Sequence, residues 1–100
     1  MAEIGQIARK VRSKNAGPFW LTIDIFCGDR AAYDRIRLGL ATEAVARAFH
    51  MPHDMIKRFE IADLNVVKFS LPRPSVQGTR ADRDMHGAAW AVLVEEMDIP

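Results

Sequence analysis

Two polar clusters in this 100-residue chain carry side chains with more chemical capacity than a turn or loop requires. The first is Arg12-Ser13-Lys14-Asn15-Ala16-Gly17-Pro18. A turn uses Gly, Pro and Asn for backbone geometry; it has no need of two cations and a hydroxyl. Arg presents a planar fork to a carboxylate, Lys a mobile point charge, and backbone amides in a tight turn converge on an oxyanion. Arg12, Ser13, Lys14, Asn15 and Gly17 are therefore candidate binding residues for a carboxylate or phosphate. The alternative is a polar hairpin tip that faces water.

The second cluster runs through Arg73, Gln77, Gly78, Thr79, Arg80, Asp82, Arg83, Asp84 and His86. Arg73 is a further candidate for the anion. His86 titrates near neutrality and, with Asp84, is the candidate for proton transfer. Asp82, Asp84 and His86 alternate, and two carboxylates with an imidazole can ligate a divalent ion. Such a spacing in a flexible segment is a weak motif, so no metal and no cofactor are expected. Asp pairing with Arg, or an Asp capping the helix that follows, accounts for the same residues.

The remaining reactive types read as structural. His50 and His53 fall at the end of a helix, where a cation suits the carbonyl end of the dipole. Cys27 has no evident base or thiolate-stabilising neighbour and reads as a core thiol. The chain has no Gly-x-Gly-x-x-Gly run, no Walker loop and no Gly-x-Ser-x-Gly elbow.

These clusters must be positioned by secondary structure. Ile4 to Arg12 reads as a strand. Phe19 to Phe26 reads as its hairpin partner, with Phe19, Leu21, Ile23 and Ile25 on one face and Trp20, Thr22, Asp24 and Phe26 on the other. Asp29 is placed to cap a helix bearing Ala32, Tyr33, Ile36 and Leu40, ended by Gly39. Thr42 is expected to cap a second helix with Ala44, Val45, Ala48 and Phe49 inward, closed by Pro52. Ile56–Ile61 and Leu64–Leu71 read as an antiparallel pair around an Ala62-Asp63 turn. Pro72-Arg73-Pro74 ends that pair, because proline cannot donate to a ladder. The polar stretch from Pro72 to Gly87 is long enough to suggest function. His86 to Ala91 is expected to be helical; Val92 to Ile99 either continues that helix or returns as an edge strand, and β-branched Val92, Val94 and Ile99 favour the strand.

This order predicts an α+β domain: a mainly antiparallel sheet of four to five strands with helices on one face, a ferredoxin-like variant. Trp20, Phe26, Val67, Phe69 and Leu71 are expected on the second face, which would then be too apolar for water and would require a partner.

Composition narrows the function classes. A chain this long forms one domain, and 49% hydrophobic with 27% charged residues is ordinary for a folded protein. A formal net charge of +1 argues against nucleic acid as a partner. One cysteine permits neither an internal disulfide nor a multi-cysteine zinc site, and fits a reducing cytoplasm. No secretory leader is visible, and no apolar run approaches the ~20 residues that span a bilayer.

The Arg12–Pro18 run, the following strand with Leu21, Thr22, Asp24 and Ile25, the Leu71-Pro72-Arg73-Pro74 segment, Asp82/Asp84 with His86-Gly87, and the ending Met97-Asp98-Ile99-Pro100 together resemble domain-of-unknown-function family 4387. These are small bacterial proteins that look like companions of acyclic terpene utilisation (AtuA-type) proteins. The terminal domain of AtuA-type proteins is regarded as ferredoxin-like, and its Arg-Ser-Gly-Asp-Lys-Gly run is similar in kind to Arg12-Ser13-Lys14-Asn15. The resemblance implies a subunit role in catabolism of organic acids or their thioesters. The expected partner is an AtuA-type large subunit, or a second copy of the chain. The expected substrate is a small anion, and the reaction a hydratase/lyase or isomerase step. The alternative is a non-catalytic, homo-oligomeric anion-binding module or a structural interaction protein.

Overall fold

The computed structural model describes residues 2–73 and 90–100. Its centre is the hairpin of β2 (Lys10–Asn15) and β3 (Trp20–Phe26), paired antiparallel with Lys14 opposite Thr22 and Arg12 opposite Asp24. In β3 the period-two pattern holds: Leu21, Ile23 and Ile25 are fully buried. The run expected as a turn is mostly strand, since Arg12 to Asn15 belong to β2. Only the residues after Asn15 turn. Gly17 takes φ 81°, and the Ala16 N–H closes the turn onto the Trp20 carbonyl at 2.9 Å. Phe19 stands outside the strand, exposed.

The expected strand over Ile4–Arg12 is shorter at its start. Residues Ile4–Ile7 make one helical turn, α1, because Ile4, Ile7 and Ala8 lie at helical spacing and pack on the core. Before it, β1 (Ala2–Glu3) pairs with β6 (Asp98–Ile99), so the two ends of the chain meet in a second, two-stranded sheet.

Asp29 caps α2 (Arg30–Gly39) as expected, its carboxylate accepting the Ala32 N–H at 2.8 Å. The next helix, α3 (Thr42–Ala48), differs from expectation: Ala41 is its N-cap, and Thr42 is already inside the helix. The Thr42 hydroxyl instead faces Arg58 at 3.4 Å. Arg58 belongs to β4 (Lys57–Ile61), which pairs with β5 (Val66–Pro72). Its guanidinium donates to the carbonyls of Arg37, at 2.7 Å, and Leu40. These are carbonyls that the end of α2 leaves without helical donors. Between β4 and β5, Asn65 takes the left-handed conformation, φ 53°.

The four-stranded sheet has the order β2-β3-β5-β4, every neighbouring pair antiparallel. β3 and β4 therefore run parallel, separated by β5 and joined through α2 and α3. The helices pack on one face, where Leu21, Ile23 and Ile25 meet Val67, Phe69 and Leu71. That corrects one expectation: Val67, Phe69 and Leu71 lie on the helix face, fully buried, while Trp20 and Phe26 lie on the other. A one-residue difference in register exchanges the faces of a strand. Ahead of β6 comes α4 (Trp90–Glu95), which packs against β2. Of the two readings of the residues from Val92, the helical continuation holds rather than the favoured strand: Ala91 and Val94 are buried at helical spacing, and only Asp98–Ile99 is extended. An antiparallel α+β architecture with helices on one face is what the structure has. Among the described residues, no helix is long and apolar enough to cross a membrane.

Candidate functional site

The alternation of β2 divides the first polar cluster between two faces. Ser13 and Asn15 point to the helix side, and Ser13 is buried. Lys10, Arg12 and Lys14 point to the open side and are exposed. On the helix side, the Ser13 hydroxyl accepts the Ala91 N–H of α4 at 2.9 Å. The Asn15 carboxamide oxygen accepts the Arg73 Nε–H across 58 residues of sequence. Arg73 is itself buried, and its N–H donates to the Phe19 carbonyl at 2.8 Å. The hairpin and the Arg73 segment thus meet. Arg73 joins Asn15 beneath the sheet, whereas Lys14 and Arg12 stand above it. Ser13, Asn15 and Arg73 fasten the hairpin, the end of β5 and the start of α4 to one another. Gly17 sits at the tip, with open space where a Cβ would lie. His86 and Asp84, with Gln77, Gly78, Thr79, Arg80, Asp82 and Arg83, lie outside the described residues.

The open face orders its side chains in rows across the strands. One row reads Lys10, Phe26, Val66, Ile61. The next reads Arg12, Asp24, Lys68, Phe59. The third reads Lys14, Thr22, Ser70, Lys57. Trp20 opposite Pro72 closes the end nearest the hairpin turn. Among the described residues, five strand cations (Lys10, Arg12, Lys14, Lys57, Lys68) share this face with one strand acid, Asp24, which stands between Arg12 and Lys68. Arg9, Lys10, Arg12 and Phe26 line a cleft of about 320 Å³ beside the first row.

The third row has the most specific chemistry. Thr22 is buried although it faces away from the helices, so neighbouring side chains rise around it. Its hydroxyl sits 3.5 Å from the Lys14 carbonyl, a long contact that leaves it free to turn toward a better acceptor. Lys57 is exposed, and its Nζ lies 6.0 Å from the centre of the Trp20 ring. Lys57 and Trp20 root on strands separated by β5, roughly 10 Å apart. The ammonium and the indole therefore approach each other over β5, where the face of the ring attracts a cation.

Lys57, Lys68 and Ser70 are absent from the sequence-based candidates. Their signal was available in the alternation of residues 66–72, once the register to β3 is known. Trp20 and Thr22 were correctly paired on one strand face, but no argument from spacing joined them to β4.

Cys27 is buried, and its thiol donates to the Ile25 carbonyl at 3.6 Å. Burial, chiefly, pushes the thiol up to about 11; a hydrogen bond with the Val67 backbone pulls it down, and the Asp29 charge raises it again. It remains protonated near neutrality and is no nucleophile. His50 and His53 are exposed near the end of α3. Among the described residues, no group of three or more His, Cys, Asp or Glu is placed to hold a metal ion.

No curated protein and no solved structure matches the chain. A family model does, over residues 4–97, which is nearly the whole length. One continuous match takes in both the Arg12–Pro18 run and residues 71–74, and the chain belongs to the family described as domain of unknown function (DUF4387).

Proposed function

We propose that this chain is the small subunit of a heteromeric catabolic enzyme, docked on an AtuA-type large chain, and that it contributes a positively charged surface for a carboxylate or thioester substrate. The observation that carries this reading is the open face: five cations to one acid, on a sheet surface that also exposes Trp20 and Phe59. A cationic surface lowers the energy of a developing enolate or carboxylate oxyanion, which suits hydration, elimination or isomerisation beside a carbonyl. The chain is then an accessory subunit rather than a self-sufficient enzyme. Arg12 and Lys14 supply charge from the hairpin. Ser13, Asn15 and Arg73 hold that hairpin in place from beneath, and Gly17 turns it at the tip. Proton transfer falls to His86 or Asp84. The AtuA-type partner is drawn from the hairpin and terminal motifs of the sequence.

The fold reading goes with it. The strand order and the split crossover β3-α2-α3-β4 support a ferredoxin-like variant in which the edge strand that would close the chain comes first, as β2. The test is co-expression with an AtuA-type large chain. The two are expected to co-purify, and Lys14→Met is expected to lower turnover at least about tenfold while leaving assembly intact, the loss of one charged hydrogen bond. Failure to co-purify, or unchanged turnover in the assembled variant, refutes the proposal.

A further inference from the structure

The row Lys14-Thr22-Ser70-Lys57 has a symmetry that a site for a single negative charge would not need. Two ammonium groups lie at its ends and two hydroxyls at its centre. Neighbouring strands are ~4.8 Å apart, so the Cα atoms of Lys14 and Lys57 are roughly 14 Å apart. Each lysine carries a flexible stem that can bend inward, and the Lys57 ammonium lies within reach of the Trp20 indole. With both stems bent over the sheet, the two charges stand apart by the span of a small molecule lying across β3 and β5. Asp24, the acid in the adjoining row, is flanked by Arg12 and Lys68, so the row keeps its double positive charge. Trp20 and Pro72 form an apolar wall along one side.

We infer that this row is a binding site for a short-chain dicarboxylate. One carboxylate pairs with the Lys14 ammonium and the other with Lys57. The Thr22 and Ser70 hydroxyls donate to the inner carboxylate oxygens. The hydrocarbon centre of the ligand lies beside the Trp20 indole. A monocarboxylate satisfies one ammonium and leaves the other without a partner. A second copy of this chain is a poor occupant, because face-to-face docking opposes cations with cations. The inference rests on the anionic substrate class of the proposed function and narrows it, but it does not depend on the large chain.

The test is a calorimetric titration of the full chain with succinate, with butyrate and inorganic phosphate as competitors in class. Succinate is expected to bind saturably with one site per chain, at least about tenfold tighter than either competitor. Lys14→Met and Lys57→Met are each expected to weaken succinate about tenfold or more. Thr22→Val removes a donor without changing shape and is expected to weaken succinate by a smaller factor. Arg47→Gln, on the exposed side of α3, is expected to change nothing. Urea midpoints of the lysine variants equal to that of the parent exclude misfolding. Equal affinity for butyrate or phosphate, no saturation at about 1 mM succinate, or lysine variants that bind as the parent does would each overturn the inference. Co-purification with the large chain is read separately, so a lost dicarboxylate site and a lost subunit role give different results.

Discussion

Replacing Arg58 by Met tests whether one side chain fastens the helical layer to the sheet. The guanidinium donates to the Arg37 carbonyl at 2.7 Å and to the Leu40 carbonyl. It also pairs with Glu60 at 2.9 Å and sits 5.6 Å from the centre of the Phe69 ring. Met keeps most of the apolar stem, so the loss is chiefly polar. A hydrogen bond from a charged donor contributes about 1.5–3 kcal/mol, and the ring contact about 0.5–1. The Glu60 pair adds little, since that carboxylate is 39% exposed and water replaces its partner. Water also reaches part of the vacated helix end, so the sum is discounted to about 2–4 kcal/mol. Urea unfolding of the full chain should show a lower midpoint at unchanged slope. For a chain of this size the same loss lowers Tm by roughly 10–20 °C. Arg58→Lys should recover less than half of it, because an ammonium cannot span both carbonyls. A loss below about 1 kcal/mol, or a Lys variant as stable as the parent, would refute the assignment of a two-carbonyl clamp.

Two other outcomes follow from buried groups. Ser13→Ala leaves the Ala91 N–H without the hydroxyl it donates to, and should cost about 1–3 kcal/mol in urea unfolding, with faster amide exchange at Ala91 as the local signature. Cys27 has its pKa raised in the folded state, so folding favours the protonated thiol. Its contribution is fully present below about pH 9, where the unfolded thiol begins to ionise, and is lost as pH rises toward about 11. Stability should fall over that window by up to about 2–3 kcal/mol, and Cys27→Ala should flatten the fall. An equally steep profile in the variant would show that other groups cause it.

The parts of the fold legible in the sequence are those in which local pattern and final environment agree. β3 alternates strictly because one of its faces meets the helices and the other does not. Asp29 caps α2 because nothing else competes for the Ala32 N–H. Expectation failed where a short segment satisfied two periods at once. Ile4, Ile7 and Ala8 read as a ragged strand, yet their spacing is also that of one helical turn, and docking on the core selects the turn. The residues after Trp90 contain β-branched Val92 and Val94, which favour a strand. Burial of Ala91 and Val94 on one side outweighs that preference.

The candidate site was harder to read for a geometric reason. Residues adjacent in sequence were expected to act together, but adjacency in a strand sends neighbouring side chains to opposite faces. Ser13 and Lys14 are consecutive, yet one braces α4 and the other stands over the open sheet. The partners of Lys14 are not Ser13 and Asn15. They are Thr22, Ser70 and Lys57, each on a different strand and joined only by register. A register is fixed by the summed fit of every pair along two strands, and no single motif encodes it. The same argument explains why Arg73 and the hairpin charges, grouped from the sequence as one set of anion-binding candidates, end on opposite sides of the sheet. Closing the hairpin onto the end of β5 is a matter of chain path. Which side of the sheet a guanidinium occupies depends on a one-residue parity. Inserting one residue within β5, between Lys68 and Phe69, would shift that parity and carry Ser70 to the helix side. The hydroxyl row would be broken and Leu71 exposed, so that a single inserted residue would remove both the site and part of the core that supports it.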